Sequence, residues 1–334
     1  MRLRHIMGRA VSTVFVVFGI FVITFFLTHL IPADPARVAA GPRATPEQVA
    51  AVRSQLGLDQ PLLRQFGSFV SQLAHGNFGT SFVTNRPVLE DIRVFFPATL
   101  ELVVYAVIVM VLLGVIAGVY LPTRAGPVPG AIIRGAGLLG IGAPVFLTAL
   151  FAQILFFGEL GWFPSGGRIT GVAPSHVTGF YLVDGVIAGD WSSVRSAFVH
   201  LVLPVTVLAI SRAGVIMRFV AAEMRVALAS EYIQTARAKG AGEFRVAMRH
   251  ALRNATGPVV SMVGLQFGWL LGGTVLVESI FSWPGLGLYM VNSIVSLDSA
   301  PVIAAAVFLG LAFAIVNLLV DIVQQLLDPR IGSS

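Results

Sequence analysis

The sequence predicts an all-α, polytopic membrane protein of six transmembrane helices with both termini in the cytoplasm. Three observations lead there: the composition, six long apolar runs, and the placement of the basic residues. Of 334 residues, 56% are apolar and only 11% are charged. A soluble domain carries about 25% charged residues, and the mean hydropathy here is +0.86. Lipid is therefore the main solvent for the apolar surface. Six runs reach the roughly 20 residues that a spanning helix needs: 10–31, 98–121, 131–157, 199–221, 255–278 and 301–327. None alternates in polarity, as membrane β-strands of about ten residues must.

Six spans put both ends of the chain on one side. On that side the N-terminus carries 3 Lys or Arg, the 122–134 loop 2, the 212–254 loop 8 and the C-terminal tail 1. On the other side the 32–97 loop carries 6, the 158–198 loop 2 and the 279–300 loop none. Long loops cross largely regardless of charge, so the first is discounted, and the positive-inside rule then places both termini inside. The same distribution answers the net charge of +6: it marks membrane orientation rather than a nucleic-acid surface.

The first run follows Arg2, Arg4 and Arg9. It is longer than a signal-peptide core and lacks a small-x-small cleavage site; Ala33-Asp34-Pro35 is a poor one. It reads as an uncleaved first span, so that residues 1–31 form the N-terminus and first helix. Residues 32–97 form an extracytoplasmic loop with two short helices. Thr45 and Pro46 start one that Gly57 stops. The other, Leu62 to Leu73, has apolar residues at 62, 63, 66, 69, 70 and 73. That spacing is amphipathic and suits either the outer membrane face or the bundle. Residues 98–330 form a core of five further spans, with a cytoplasmic loop over 222–254.

Polar residues inside spans are functional candidates by default. Glu101, Gln153, Arg212, Gln266, Asn317 and Asp321 qualify. Glu101 and Asp321 lie near span ends, where structural hydrogen bonding fits, and the near lack of mid-membrane acids disfavours an ion-coupled carrier. Arg212 lies about two-thirds of the way through the fourth run, where insertion costs about 2.5–3.5 kcal/mol. Snorkelling to the surface and facing a cavity or partner helix would each relieve that cost. Gly135, Gly137, Gly140, Gly142 and Pro144 mark the third run. They predict close helix packing and a kink, with a moving pathway as the alternative. Pro144, Glu101, Gln266 and Arg212 are the candidates for pathway or packing roles.

The stretch EYIQTARAKGAGEFRVAMRHALRN, from Glu231 to Asn254, holds five Lys or Arg and two Glu. Ser230 is an N-cap candidate, Glu231 suits a helix start and Lys239 a helix end. Gly240 and Gly242 break the helix; Glu243 to Asn254 resumes it, and Pro258 opens the fifth span. Two short helices thus meet at a glycine elbow, with Gln234, Thr235, Ala236 and Ala238 presenting a small, neutral face. Composition alone favours a basic loop drawn to anionic headgroups. The elbow and the small face raise the alternative of a docking surface for another protein.

Catalytic constellations are missing. Lys239 is the only lysine and follows Ala238, so there is no phosphate-binding Gly-Lys-Ser/Thr loop. There is no His-Glu-x-x-His, no Gly-x-Ser-x-Gly, no cysteine, and no predicted metal site. His29 and His200 lie near helix ends and predict structural contacts.

"EYIQTARAKG" followed by "RHALRNATGPVV" resembles the cytoplasmic coupling loop, the EAA motif, of ABC-importer permeases. Gly240 matches the motif's glycine, and Gln234, Thr235 and Ala236 fall on its Glu-Ala-Ala positions. "QLGLDQPLLRQF", "HGNFGTSF", "FPATLEL", "LGWFPSGG", "GDW", "HLVLP", "SIFSWPGLG" and "LLDPRI" resemble, in order, the B-type permease subunit of dipeptide, oligopeptide and nickel importers. Departures are Asn77 for Asp, Gly142 for Ser, Ala221 for Arg, Gly257 for Leu, and Ser299-Ala300 before Pro301 in place of an aromatic.

The resemblance implies a type I ABC-importer permease fold in a bacterial inner membrane, and a non-catalytic subunit forming half of a translocation path. Its implied partners are a second, homologous permease, two cytoplasmic ATPase subunits or domains, and an extracytoplasmic solute-binding protein, all set in the lipid bilayer and without nucleic acid. ATP and Mg belong to the ATPase, and this chain binds no cofactor. The implied docking element is Glu231, Tyr232, Thr235, Ala236, Arg237, Ala238, Lys239 and Gly240. Peptides are the expected cargo, nickel or another small solute the alternative. A secondary transporter independent of any ATPase is the rival class.

Overall fold

The computed structural model describes residues 2–30, 34–41 and 43–327. The end of the first run at Ile31, Ala33 of the candidate cleavage site and most of the "LLDPRI" stretch lie outside these residues. Among the described residues the chain is helical, with one isolated bridge, between Thr80 and Pro87. Five helices are long and apolar enough to cross a membrane, and a bent pair makes a sixth. The expected number of spans is thus met when the pair counts once. The helices outrun the apolar runs, because polar and capping residues extend them past the hydrocarbon.

The chain divides into two compact units. One comprises Leu3–Thr99 and Pro284–Ala312. It holds α1 (Arg2–Leu30), α2 (Pro35–Ala40), α3 (Pro46–Gln55), α4 (Leu62–Ala74), the start of α5 (Val88–Thr123), and two later elements, a short helix Leu286–Val295 and the start of the last helix, Ser299–Leu327. Thr45 and Gln48 form the reciprocal capping box that starts α3, and Gly57 follows it at φ +69°. The apolar face of α4 packs on the bundle: Phe66, Phe69, Val70 and Leu73 lie against Phe21 and Phe25 of α1 and Ile303 and Val307 of the last helix. The rings of Phe21 and Phe66 stand 5.5 Å apart. His29 is structural, its Nδ1 2.7 Å from the Phe25 carbonyl and its ring stacked on Phe25.

A buried polar node ties this unit. The Tyr289 hydroxyl and the Thr84 hydroxyl donate to Asp91 at 2.9 and 2.6 Å, and Arg86 pairs with the same carboxylate at 2.9 Å. Ser81 Oγ and the Phe82 N–H donate to Asp298 at 2.7 and 3.0 Å.

The other unit comprises Leu100–Trp283 and the chain from Phe313 onward. It holds the rest of α5, α6 (Pro127–Gly142), α7 (Val145–Ala152, continued as a π-helical stretch Gln153–Glu159), α8 (Tyr181–Ala188), α9 (Trp191–Leu228), α10 (Glu231–Ala238), α11 (Glu243–Arg245), a π-helical stretch Val246–Ala251 and α12 (Leu252–Ile280). The later helices named above are α13 (Leu286–Val295) and α14 (Ser299–Leu327). The unit is organised on α9, which packs against α6, α7, α8 and α12. At the α6–α9 crossing Gly137 and Gly214 meet backbone to backbone, and a Cβ on Gly214 would overlap the Gly137 carbonyl. Small residues permit this approach where packing, not water, drives helix association.

Two expectations need correction. The third span is not one kinked helix: α6 and the following helix bend by 106° at a break around Ala143 and Pro144. Pro144 has no N–H and biases the residue before it away from helix, and Ala143 is extended at ψ 129°. Pro258 does not open the fifth span. It sits inside α12, and one helix of 38 residues runs from Glu243 to Ile280. A single missing N–H costs a long packed membrane helix little enough to be borne.

Candidate functional site

The loop between α9 and α12 takes its shape from three local causes. Ala229 closes α9, and Ser230 stands in extended backbone at the start of α10. Ser230 is an N-cap by position only: its hydroxyl donates back to the Ala227 carbonyl, at 2.5 Å, so the expected side-chain cap is not made. At the far end Lys239 caps α10, and Gly240 turns the chain at φ +80°. An L-residue with a side chain rarely adopts that angle. The Ala241 N–H reaches back to the Ala236 carbonyl at 3.1 Å and closes the turn. Gly242 then stands at an ordinary φ of −66° as the start of α11. The elbow therefore rests on Gly240 alone, and it joins one short helix to the beginning of a long one rather than two short helices.

Ile233 is the anchor of α10. It is fully buried, as are Val246 and Ala251 of the stretch on which α10 packs. The remaining positions of the element face outward: Glu231, Tyr232, Gln234, Thr235, Arg237, Ala238, Lys239 and Gly240 are exposed and Ala236 is half-buried. Exposed apolar groups flank them, with Tyr232 at 41%, Phe244 at 67% and Met248 at 42%. Arg124 lies 6.0 Å from the Phe244 ring centre. Arg237 and Glu243 clasp the elbow through two bonds, Nε to Oε1 at 2.8 Å and Nη2 to Oε2 at 3.0 Å. This bond holds the Glu243 carboxyl below the ordinary carboxylate range and lifts Arg237. The spacing of i and i+6 hides such a pair from helical periodicity, and Ile233 carries no chemical signal, so sequence reasoning names neither.

The four candidates within the spans fall into different places. Glu101 is fully buried and pairs with Arg168 at 2.5 Å, while its second oxygen accepts the Leu182 N–H at 3.1 Å. Arg168 also donates to the Gly179 carbonyl and lies 3.7 Å from the Tyr181 ring centre. Glu101 thus joins the start of its helix to Arg168 and Leu182 of the 158–198 segment. Gln153 does similar work, donating to the Ser165 and Ile280 carbonyls at 2.6 and 3.2 Å. His200 bridges Ser196 and Thr170.

Pro144 and Arg212, by contrast, line one cavity of about 230 Å³ together with Gly142, Ser211, Trp269 and Gly273. A second, more open cavity of about 550 Å³ meets it at Arg212, Trp269 and Gly273. Arg212 is half-buried and borders both open cavities, its guanidinium carbon 4.6 Å from the ring centre of Trp269, itself 63% exposed. Gln266 is buried but lines neither; its amide nitrogen lies 3.6 Å from Met262 Sδ. Trp269 is the residue here that sequence reasoning missed.

Comparison with known proteins finds matches along nearly the whole chain. Residues 110–333 match the family "Binding-protein-dependent transport system inner membrane component", and residues 2–103 match its N-terminal membrane component. The chain is 43% identical to the probable D,D-dipeptide transport system permease protein DdpB of Escherichia coli (strain K12), over 97% of this chain and 96% of that one. It is 37% identical to the dipeptide transport system permease protein DppB of Alkalihalophilus pseudofirmus, over 98% and 99%. It is 36% identical to the glutathione transport system permease protein GsiC of Escherichia coli (strain K12), over the same shares. The chain belongs to the family of binding-protein-dependent transport system inner membrane components, as a non-catalytic, multi-pass permease subunit.

Proposed function

We propose that this chain forms half of the translocation path of an ATP-driven importer of short peptides, and that Glu231–Gly240 docks a separate ATPase. Both termini and this loop lie on the cytoplasmic side in this proposal, as the basic residues favour. The observation that carries it is the elbow. A short helix is anchored by one buried side chain, turned outward by Gly240 and clasped by Arg237 and Glu243. A rigid, exposed handle rimmed by Tyr232, Phe244 and Met248 suits a protein partner better than water, since apolar and aromatic groups in a charged rim mark interfaces. The lack of a phosphate-binding loop fits an ATPase on another chain. A second permease and an extracytoplasmic binding protein complete the assembly. The names of the relatives, which concern dipeptides and glutathione, support a peptide cargo.

The test is Gly240→Val and, separately, Glu231→Lys in the assembled importer. Valine at φ +80° costs about 1–3 kcal/mol in backbone strain and should distort the handle without touching the spans. Peptide uptake should fall at least about tenfold, with loss of ATPase co-purification or of its coupling to transport. Wild-type co-purification together with wild-type uptake in both variants would refute the docking role.

A further inference from the structure

Arg212 is a charge with no evident counter-charge. It stands 21 residues after Trp191 and 16 before Leu228 in α9, several turns from either end. Among the described residues no carboxylate comes within ion-pair distance of it; its neighbour is the Trp269 ring face. The cavity beside the α6–α7 break and the wider one along α12 both reach its side chain. Arginine is expensive at this depth, and intramembrane cations mark pathways for charged solutes. The ring offsets part of the cost through its quadrupole. It cannot replace the oxygen acceptors that a guanidinium's five donors seek.

The surroundings suit a passing ligand. Gly142 and Gly272 have nothing within 4 Å of a notional Cβ, so the walls stand back from the charge. Ser211 adds a hydroxyl to the narrower cavity. A planar guanidinium binds carboxylates through two parallel bonds. In a low-dielectric wall such a contact gains strength over its value in water. A single arginine, rather than a cluster, keeps the contact weak enough to release, as conduction requires.

We infer that Arg212, backed by Trp269, receives the carboxylate of the peptide in transit, at the cavity beside the α6–α7 break. This rests on the peptide-importer reading above. Arg212 thereby sets the preference for cargo bearing a free carboxylate and takes no part in ATPase docking.

The test uses the whole importer in proteoliposomes, with its binding protein and ATPase. Uptake of labelled dialanine and of dialanine amide is measured for wild type, Arg212→Gln and Arg212→Lys. Arg212→Gln should lower dialanine uptake about tenfold, the scale of one charge-assisted contact. Arg212→Lys should stay within about threefold, since it keeps the charge but loses the fork. Amide uptake, at whatever wild-type level, should not change, and ATPase stimulation by the binding protein should persist. Equal loss for acid and amide, or unchanged dialanine uptake in Arg212→Gln, overturns the inference. So does lost assembly or ATPase stimulation, which would put the partner of Arg212 in the second permease. A wild-type importer that moves no peptide at all would instead reject the peptide reading, and this inference with it.

Discussion

Arg237 and Glu243 stand on opposite sides of the Gly240 elbow and close it with two parallel bonds of 2.8 and 3.0 Å. The clasp joins the end of α10 to the first residue of α11. The orientation of the short helix is therefore tied directly to the long helix that enters the membrane. In the docking role proposed above, a movement of the short helix would reach the long one through this turn and its ion pair.

Glu243→Gln should loosen this turn. Exchange of the Ala241 amide, which bonds the Ala236 carbonyl, should quicken by up to about fivefold, the scale expected of an exposed pair. Because the pair lowers the Glu243 carboxyl, its contribution is present above the ordinary glutamate value. It is lost as pH falls through the lowered one. Hydrogen exchange followed by mass spectrometry reads both effects, and unchanged exchange in the variant would contradict them.

The Glu101–Arg168 pair should be worth far more than the exposed clasp. Its side chains are 0% and 5% exposed. Removing one partner from a buried pair costs about 3–5 kcal/mol, because the other charge is left uncompensated. Glu101→Leu should therefore lower thermal stability in detergent strongly. The double variant Glu101→Leu with Arg168→Met should recover a large part of that loss. A double variant no better than the single one would mean that the loop is held by other contacts.

Asp298 should make its unit sensitive to pH in the opposite sense to the clasp. Burial raises its carboxyl above the usual range, although Ser81 and the Val83 and Phe82 amides pull it down. The folded state then holds a proton that the unfolded chain has already released. Stability falls as pH climbs from the ordinary aspartate value through the raised one. Asp298→Asn keeps an acceptor for Ser81 and removes that titration. The variant should gain on wild type in melting temperature as pH rises above the ordinary aspartate value, whereas parallel profiles would show that Asp298 titrates normally.

Element existence was legible because lipid imposes a simple rule: a backbone without water must bond to itself over a full membrane thickness. Runs such as 98–121 and 301–327 therefore announce their helices. Thr45, Gly57 and Gly240 were equally legible, since capping and positive φ are local chemistry. The 106° break at Pro144 was less so, because a proline in a span permits either a kink or a reversal. Both helices at the break pack on α9, a contact no local pattern contains. Pro258 misled for the same reason, as a packed helix can carry the lost bond. Glu101 and Arg168 are 67 residues apart, and Trp269 meets Arg212 across two helices. Nothing in a linear pattern pairs such residues, so the lone arginine was visible in the sequence but its setting was not.

Transport that depends on a separate ATPase is the central claim, and accumulation of labelled dialanine in proteoliposomes tests it most directly. The complete importer should accumulate the peptide only with ATP and with its ATPase present. This chain alone, or paired with the second permease, should not exceed empty liposomes. Accumulation by this chain alone, with or without an ion gradient, would contradict the account.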